Sequence, residues 1–255
     1  MTERAGIDEV VSLCRRLRLK YVREQVVDVL ECAKAQRWDP AEMLRVLLEA
    51  EVAGRDRSTI ETKRKRAGLP TGKTFDVWIP SKSSMPKVTQ ESLKALEWIG
   101  RAENLAICGP SGTGKSHFCE ALGHEAVDAG KTVMWFSIEE LGALVRRHRV
   151  DDTVAKAFAP IAKADLTVVD DVGMLPVSAD AAEGLYRLVD AAYEKRSVAV
   201  SSNLHPSAFD QLMDKNLATA LVDRLLHHAH VVLTDGESVR LADATSGKGV
   251  VPLPS

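Results

Sequence analysis

The first 70 positions of the chain carry apolar residues at helical spacing. Asp39-Pro40-Ala41-Glu42 combines an N-cap acid, a proline at the first helical position and a Glu at N3, and leucines at helical spacing follow it. This pattern predicts a helix from about Pro40 to Val52. Ser58-Thr59-Ile60-Glu61 has the form of a second capping box and Gly68 is a stop signal, so we expect a separate short helix between them. Residues 10–30 are also expected to be helical.

Beyond residue 100, short apolar runs alternate with segments long enough for one or more helices. This alternation predicts buried strands joined by helical crossovers, and hence a mostly parallel sheet covered on both faces. The predicted fold class is α/β, preceded by a small all-α N-terminal domain. The five predicted strands are Leu105–Cys108, Thr132–Phe136, Leu166–Val169, Val198–Val200 and Val231–Leu233.

The composition changes between these two regions. The segment 71–87 (TGKTFDVWIPSKSSMPK) is rich in Gly, Pro, Ser and Lys, which predicts an extended connection. We expect Phe75 and Trp78 to pack this connection onto the second domain, and a lead-in helix to cover residues 90–99. The predicted organisation is a helical, basic domain at 1–70, a linker at 71–88, an α/β domain at 89–245 and a flexible tail at 246–255.

Composition and charge limit the class of protein. The chain has 255 residues, 45% hydrophobic and 27% charged, which is typical of a globular protein and excludes a disordered one. It has no apolar run near the ~18 residues of a membrane span and no signal-peptide pattern, so we expect a cytoplasmic protein without membrane association. The four cysteines and the histidines at 227, 228 and 230 lack metal-site spacing, and the cysteines are expected to be free, buried thiols.

The net charge of −2 conceals an asymmetry. Residues 1–75 carry 16 Lys and Arg against 12 Asp and Glu, whereas the remaining 180 carry 18 against 24. Most of the positive excess lies at residues 55–66, which end in the basic run Lys63, Arg64, Lys65 and Arg66. Such a run is a solvated surface or a nucleic-acid contact, and the sequence alone leaves both interpretations open.

The segment after the first predicted strand carries the strongest chemical signal. It matches G-x-x-x-x-G-K-[ST] between a strand and a helix, where glycines let backbone N–H groups surround a polyphosphate. Lys115 would reach the β- and γ-phosphates, and Ser116 would place its hydroxyl on Mg²⁺. The predicted phosphate-binding residues are Gly109, Pro110, Ser111, Gly112, Thr113, Gly114, Lys115 and Ser116.

Two further predicted strands deliver polar residues to the same edge of the sheet. Asp170 and Asp171 lie at the C-terminal end of the third strand, where Asp170 would hold Mg²⁺ and Asp171 would orient or deprotonate the attacking water. Asn203 follows the fourth strand and would position water at the γ-phosphate, unless it is a simple turn residue. Arg224, near the end of a predicted helix at 217–228, would serve a neighbouring subunit's phosphate as an arginine finger or would form a surface ion pair with Asp223.

Taken together, these residues resemble those of the AAA+ ATPases of the initiator and helicase-loader branch. GPSGTGKS corresponds to Walker A, LTVVDD to Walker B, SSN to sensor 1 and DRL to the arginine-finger box. More narrowly, the segments at 170–176 (DDVGMLP), 193–197 (YEKRS), 223–231 (DRLLHHAHV) and 236–241 (GESVRL) resemble the IstB family, the ATPase helpers of insertion-sequence transposition. These segments span about two thirds of the chain.

The resemblance implies a P-loop AAA+ domain that binds ATP and Mg²⁺, hydrolyses ATP and forms an ATP-dependent homo-oligomer. It also implies largely sequence-independent binding of duplex DNA and a cognate transposase as partner. An extra helix before the Walker B strand would contact DNA, and Ser137-Ile138-Glu139-Glu140 is a capping box for a helix that ends in Arg146, Arg147, His148 and Arg149. A second helix is expected at 153–164. The expected DNA-contacting residues are Lys63, Arg64, Lys65, Arg66, Arg146, Arg147 and Arg149.

The chain departs from the family pattern in three places. Asp171 stands where the family usually has Glu, so slower hydrolysis is expected, and Ala192 stands where it usually has Arg. Little chain follows Arg240, so a typical C-terminal lid is not expected, and Arg240 is a weak candidate for its sensor residue.

Three alternative functions remain open on sequence. The first is a DnaC-like replicative helicase loader that binds single-stranded DNA, against which the two histidines after the DRL motif argue. The second is a small-molecule P-loop kinase, although the sequence offers no arginine-bearing lid for a second phosphoryl substrate. The third is a DNA-binding scaffold that binds ATP without hydrolysing it.

Overall fold

The computed structural model describes residues 2–70, 72–150, 153–173, 177–236 and 238. The chain divides into two compact units, Met1–Thr62 and Lys63–Ser255. Arg240 and the predicted tail at 246–255 lie outside the described residues. The division falls inside a long helix, and the segment predicted as a linker belongs to the second unit.

Three helices make up the N-terminal region: α1 (Thr2–Arg16), α2 (Lys20–Gln36) and α3 (Pro40–Ala67). The core of the first unit contains Cys14, Val22, Val26, Val29 and Leu47. The carboxylate of Glu51 on α3 accepts hydrogen bonds from the backbone N–H groups of Tyr21 (2.8 Å) and Val22 (3.0 Å). It thereby caps the start of α2, whose own N-cap residue, Leu19, provides no side-chain acceptor.

Helix α3 runs without interruption through the predicted break after Val52, so the expectation of two separate helices was wrong. No proline lies in this stretch. The ring of Tyr21 packs against Gly54 so closely that a Cβ there would lie 2.2 Å from Cγ of Tyr21, so a larger residue would not fit. The hydroxyl of Thr59 donates to the carbonyl of Arg55 (2.9 Å), as Thr62 does to Ser58 (2.8 Å). These hydroxyls therefore bond within the helix instead of ending it.

The second unit contains a five-stranded sheet of the predicted kind. Its strands are β1 (Asn104–Cys108), β2 (Val133–Ser137), β3 (Leu166–Val172), β4 (Ser197–Ser202) and β5 (Ala229–Leu233). All paired strands are parallel, and their order is β2-β3-β4-β1-β5. This confirms the α/β fold class and all five strands.

Helices connect these strands and cover the sheet. They are α4 (Lys87–Lys94), α5 (Glu97–Gly100), α6 (Lys115–Asp128), α7 (Ile138–Arg149), α8 (Val154–Phe158), α9 (Ala179–Ala192) and α10 (Lys215–Leu226). The lead-in helix is split into α4 and α5, because Leu96 adopts a left-handed conformation (φ +60°). Helix α8 is much shorter than the predicted helix at 153–164. Helix α7 begins with the predicted capping box, in which Ser137 and Glu140 bond reciprocally.

The polar connection before α4 packs onto α6 through the two predicted aromatic anchors. The rings of Phe75 and Trp78 lie 5.4 and 5.3 Å from the ring of Phe118, centroid to centroid. The indole Nε1 of Trp78 also donates to Oε1 of Gln90 (2.8 Å). The predicted packing role of both aromatic residues is therefore confirmed.

One hydrophobic core of the second unit lies between the sheet and helices α7, α9 and α10. Its fully buried members include Leu141, Leu185, Leu188, Leu221 and Leu225. Helix α6 contributes further buried apolar residues, such as Phe118 and Leu122. All four cysteines are free thiols, as predicted, but the expectation that all are buried was wrong for Cys32, which is exposed on α2. Across the described ranges, no helix is long and apolar enough to cross a membrane.

Candidate nucleotide-binding site

The loop between β1 and α6 has the backbone shape that the glycine-rich motif predicts. Gly109, Gly112 and Gly114 have φ values of +148°, +84° and +88°. A Cβ on Gly109 would lie 2.1 Å from the backbone oxygen of Thr234, and one on Gly112 would lie 2.1 Å from Oγ of Ser238. Both conformation and space therefore require glycine at these two positions.

Two buried threonines hold the loop in place. The hydroxyl of Thr113 donates to the carbonyl of Pro110 (3.0 Å) and lies 2.8 Å from the hydroxyl of Thr234. The backbone N–H of Thr234 in turn donates to the carbonyl of Cys108 (2.7 Å). The segment after β5 thus supports the loop from behind, a role for Thr234 that no sequence motif indicated.

Lys115 is the first residue of α6 and lies in the wall of a cavity. Its side chain is buried, with 7% of the residue exposed, and Nζ donates to the carbonyl of Pro110 (2.7 Å). An ammonium group and the N-terminal end of a helix both favour an anion at this position. Behind the loop, burial raises the pKa of Cys108 to about 11, so its thiol stays neutral.

The cavity beside the loop has a volume of about 480 Å³. It brings together most of the predicted site and adds a wall from the connection before α4. The predicted residues that line it are Ser111, Gly112, Thr113, Gly114, Lys115, Ser116, Asp170, Asp171 and Asn203. His117, which was not predicted, also lines it. The added wall consists of Lys73, Val77, Trp78, Ile79 and Lys82. Gly109 and Pro110 lie in the loop but do not line the cavity.

The two acidic residues of β3 occupy different environments. Asp170 is buried (9% exposed) and accepts a hydrogen bond at Oδ1 from the hydroxyl of Ser201 on β4. Asp171 is exposed and has a left-handed backbone (φ +61°) at the point where the pairing of β3 with β4 shifts register. Strand β3 continues to Val172, so both acids lie at its C-terminal end as predicted, where the strand is irregular.

Asn203 lies directly after β4 on the same side of the cavity. Its backbone N–H donates to the carbonyl of Val172 (3.0 Å), which fixes it beside the end of β3. The preceding carbonyl, of Ser202, accepts from the backbone N–H of Gly109 (3.0 Å) and so joins the end of β4 to the glycine-rich loop. Asn203 is therefore both a turn residue and part of the cavity wall.

These residues fit a nucleoside triphosphate with a divalent cation. The hydroxyl of Ser116 and the carboxylate of Asp170 are oxygen ligands of the kind that Mg²⁺ prefers. The apolar side chains of Val77, Trp78 and Ile79 could contact the flat base of a nucleotide. For the segment 71–87 the sequence predicts only a packing role, because nothing local in it indicates a binding surface.

Arg224 lies on α10 and does not line the cavity of its own chain. Its Nε lies 2.9 Å from Oδ1 of Asp190 on α9, its guanidinium lies 5.5 Å from the ring centroid of Tyr186, and one third of its side chain is exposed. The alternative prediction, a surface ion pair with Asp223, was wrong because the partner of Arg224 is Asp190. Consecutive residues of a helix, such as Asp223 and Arg224, point in different directions.

The basic residues expected at DNA differ in their surroundings. Arg149 pairs with Asp180 (2.6 Å) and Glu183, and Arg146 lies 3.6 Å from Asp180. In the basic run, Lys63 donates to the carbonyl of Gly130 and Arg64 pairs with Asp128.

Three of these basic residues form no side-chain hydrogen bond or ion pair among the described residues. Arg147, Lys65 and Arg66 are exposed and form no ion pair with any part of the chain that the structure describes. Among the seven basic residues expected to contact DNA, these three are therefore the most available to phosphate groups.

The histidines after Arg224 meet a glutamate from another loop. Oε1 of Glu194 lies 3.7 Å from Nδ1 of His227 and 3.9 Å from Nε2 of His228. The hydroxyl of Tyr193 lies 3.0 Å from the same Nδ1, and all three of Glu194, His227 and His228 are at least half exposed. This cluster joins the segments before β4 and β5 at the surface by one hydrogen bond, between Tyr193 and His227, and by the longer contacts of Glu194.

The chain is similar to proteins of bacterial insertion sequences. It is 31% identical over 92% of its length to the insertion sequence IS21 putative ATP-binding protein of Pseudomonas aeruginosa, covering 89% of that protein. It is also 31% identical over 91% of its length to the IS21-like putative ATP-binding protein of Bacteroides fragilis, again covering 89%.

Solved structures show the same fold. AMPPCP-bound DnaA from Aquifex aeolicus matches with a TM-score of 0.56 and 24% identity, over 71% of this chain and 56% of that one. Domain III of the Thermotoga maritima replication initiation protein DnaA matches with a TM-score of 0.54 and 19% identity, over 71% and 74%. The expected P-loop AAA+ fold is thereby confirmed.

The family described as IstB-like ATP binding protein matches residues 12–246. This range contains the glycine-rich loop, both acids of β3, Asn203 and Arg224. The chain therefore belongs to the family of IstB-like ATP binding proteins.

Proposed function

We propose that this insertion-sequence ATP-binding protein is an ATP-dependent DNA-binding helper of its transposase. ATP binding drives its oligomerisation on duplex DNA, and hydrolysis controls the assembly and the delivery of a target site to the transposase. One observation carries this proposal: the cavity joins Lys115, Asp170, Asp171 and Asn203, whereas Arg224 lies elsewhere on the same chain. A second subunit would complete such a site.

Each residue of the cavity has a chemical role in this proposal. Lys115 and the loop N–H groups hold the phosphates, while Ser116 and Asp170 hold Mg²⁺, which when bound neutralises phosphate charge. Asp171 accepts a proton from the attacking water, and Asn203 positions that water. The buried Asp170 suits the role of metal ligand and the exposed Asp171 suits the role of proton acceptor, because of the two only Asp171 is open to water.

Arg224 completes the site from the neighbouring subunit. An arginine finger stabilises the charge that develops at the phosphate in the transition state, and its contribution to the rate is ~10³ to 10⁵. The ion pair with Asp190 and a hydrogen bond from the guanidinium to the carbonyl of Ala220 (3.2 Å) limit its rotamers before assembly. Turnover would then require contact between subunits.

The DNA contacts are non-specific. Lys65, Arg66 and Arg147 are exposed cations that can bind backbone phosphates without reading bases. Arg146 and Arg149 would have to exchange their contacts with Asp180 for contacts with DNA. Affinity is therefore expected to fall steeply as salt rises and to depend little on sequence.

The test is the mass of the protein, measured by light scattering, with ATP, Mg²⁺ and a plain duplex of several tens of base pairs. We expect a large assembly that forms only when ATP and duplex are both present. Lys115→Ala, which removes the phosphate contact, is the control and should stay small. A monomer under these conditions would contradict the proposal, and assembly only on single-stranded DNA with a replicative helicase would establish the helicase-loader alternative in its place.

A further inference from the structure

The hydroxyl of Ser201 joins both acids of the cavity. Ser201 lies on β4 and is 1% exposed. Its Oγ donates to Oδ1 of Asp170 and accepts a hydrogen bond from the backbone N–H of Asp171 (3.2 Å). One side chain therefore holds the carboxylate of the first acid and the backbone of the second.

These bonds lie where the sheet is irregular. The pairing of β3 with β4 runs from Leu166 to Val169 and resumes at Val172, so it skips Asp170 and Asp171. The left-handed backbone of Asp171 is less favourable than an extended one and persists only where the surroundings fix it. The hydroxyl of Ser201 replaces the missing backbone partner at this point.

We propose that Ser201 is a positioning residue for the nucleotide site. By holding Oδ1 of Asp170 it fixes the carboxylate plane and leaves Oδ2 for the divalent cation. By holding the N–H of Asp171 it fixes the direction in which the second carboxylate leaves the strand. This inference rests on the proposed function of the cavity, and it assigns to β4 a part in the site beyond Asn203.

The test compares Ser201→Ala with Ser201→Thr in the full-length protein. The binding of a fluorescent ATP analogue is titrated at increasing Mg²⁺ and again in EDTA, and ATP turnover is measured in parallel. Loss of an outer-shell partner typically weakens a metal site 10- to 100-fold. We therefore expect Ser201→Ala to need ~10-fold more Mg²⁺ for half-maximal analogue binding, with unchanged analogue affinity in EDTA and a lower kcat.

Two comparisons separate positioning from packing. Ser201→Thr keeps the hydroxyl and should restore the Mg²⁺ dependence. Ser197→Ala removes a hydroxyl from the same strand that is equally buried but has no hydrogen-bond partner among the described residues, and it should change nothing. Thermal unfolding of each variant verifies that the fold is intact.

The outcomes are distinct. An unchanged Mg²⁺ dependence in Ser201→Ala would overturn the inference while leaving the proposed function in place. An equal loss in Ser201→Ala and Ser197→Ala, or no rescue by Thr, would also overturn it, because packing would then explain the effect. If the unmodified protein bound no analogue with Mg²⁺, the proposed function itself would fail.

Discussion

Arg224 and Asp190 form an ion pair between α10 and α9, with Nε 2.9 Å from Oδ1. The two residues are 34 positions apart, and helix α10 packs directly on α9. The contact presents the guanidinium at the surface of the second unit, away from the cavity that contains Lys115. Because the arginine is held but still one third exposed, it is suited to contact a second molecule.

This placement predicts a separation of binding from turnover. Arg224→Ala should bind ATP with nearly unchanged affinity, since no cavity contact is lost, and should lose at least ~10³-fold in turnover. Nucleotide titration and a phosphate-release assay measure the two quantities. Arg187→Ala is the matched control, because Arg187 on α9 pairs at the surface with Glu183 and should be dispensable. Unchanged turnover in Arg224→Ala would contradict a shared site.

Asp171 is expected to control the rate of hydrolysis, and its replacement by Asn should preserve the backbone conformation at this position. Asp171→Asn removes the proton acceptor, so kcat should fall by ~10² to 10⁴-fold while ATP affinity is retained. The unfolding midpoint should not fall, because Asn tolerates the left-handed backbone at this position at least as well as Asp. Turnover kinetics and thermal unfolding test the two statements, and a kcat close to that of the unmodified protein would exclude Asp171 as the acceptor.

Gly109 is expected to be needed for folding of the second unit. In Gly109→Ala, the new Cβ would meet the backbone oxygen of Thr234 at 2.1 Å in a conformation with φ +148°, so we expect a loss of ~2–4 kcal/mol in the free energy of unfolding. Gly130→Ala also has a positive φ (+76°) but meets nothing within 4 Å, and it should cost only ~1–2 kcal/mol. Denaturant unfolding of the two variants tests the difference, which equal losses would contradict.

Arg66 is expected to contribute to the salt dependence of DNA binding. Arg66→Ala should weaken binding to all duplex sequences alike and reduce the slope of log affinity against log salt by about 1, the value for one lost phosphate contact. Arg45→Ala makes the same change in charge on the same helix, but Arg45 is already paired with Glu42 and Glu49. Fluorescence anisotropy over a salt series measures both, and equal slopes in the two variants would remove Arg66 from the interface.

The sequence predicts most of the second unit because its signals are local and periodic. Buried parallel strands appear as short apolar runs, and the glycine-rich motif specifies both its loop and the helix that follows. The same local signals gave the wrong interpretation at Ser58, where a capping pattern lies inside α3. A capping box specifies which bonds are possible, whereas in the folded chain the hydroxyls of Thr59 and Thr62 bond to carbonyls within α3 and the helix continues.

The parts of the site that sequence reasoning missed depend on contacts between distant segments. Trp78 reaches the cavity because it packs on Phe118, and Thr234 supports the loop 121 residues away from Thr113. Ser201 acts on Asp170 across a strand pair whose register shift no single-strand pattern indicates. Such relations follow from the tertiary arrangement, so only the structure reveals them.

The central claim is that one ATP site is built from two subunits. The most direct measurement is ATP turnover, with duplex DNA present, in a mixture of Lys115→Ala and Arg224→Ala proteins, each inactive alone. Lys115→Ala subunits supply an intact Arg224, and Arg224→Ala subunits supply an intact cavity. The account predicts that the mixture regains a substantial fraction of the activity of the unmodified protein. A mixture as inactive as its components, although it assembles on duplex, would contradict it.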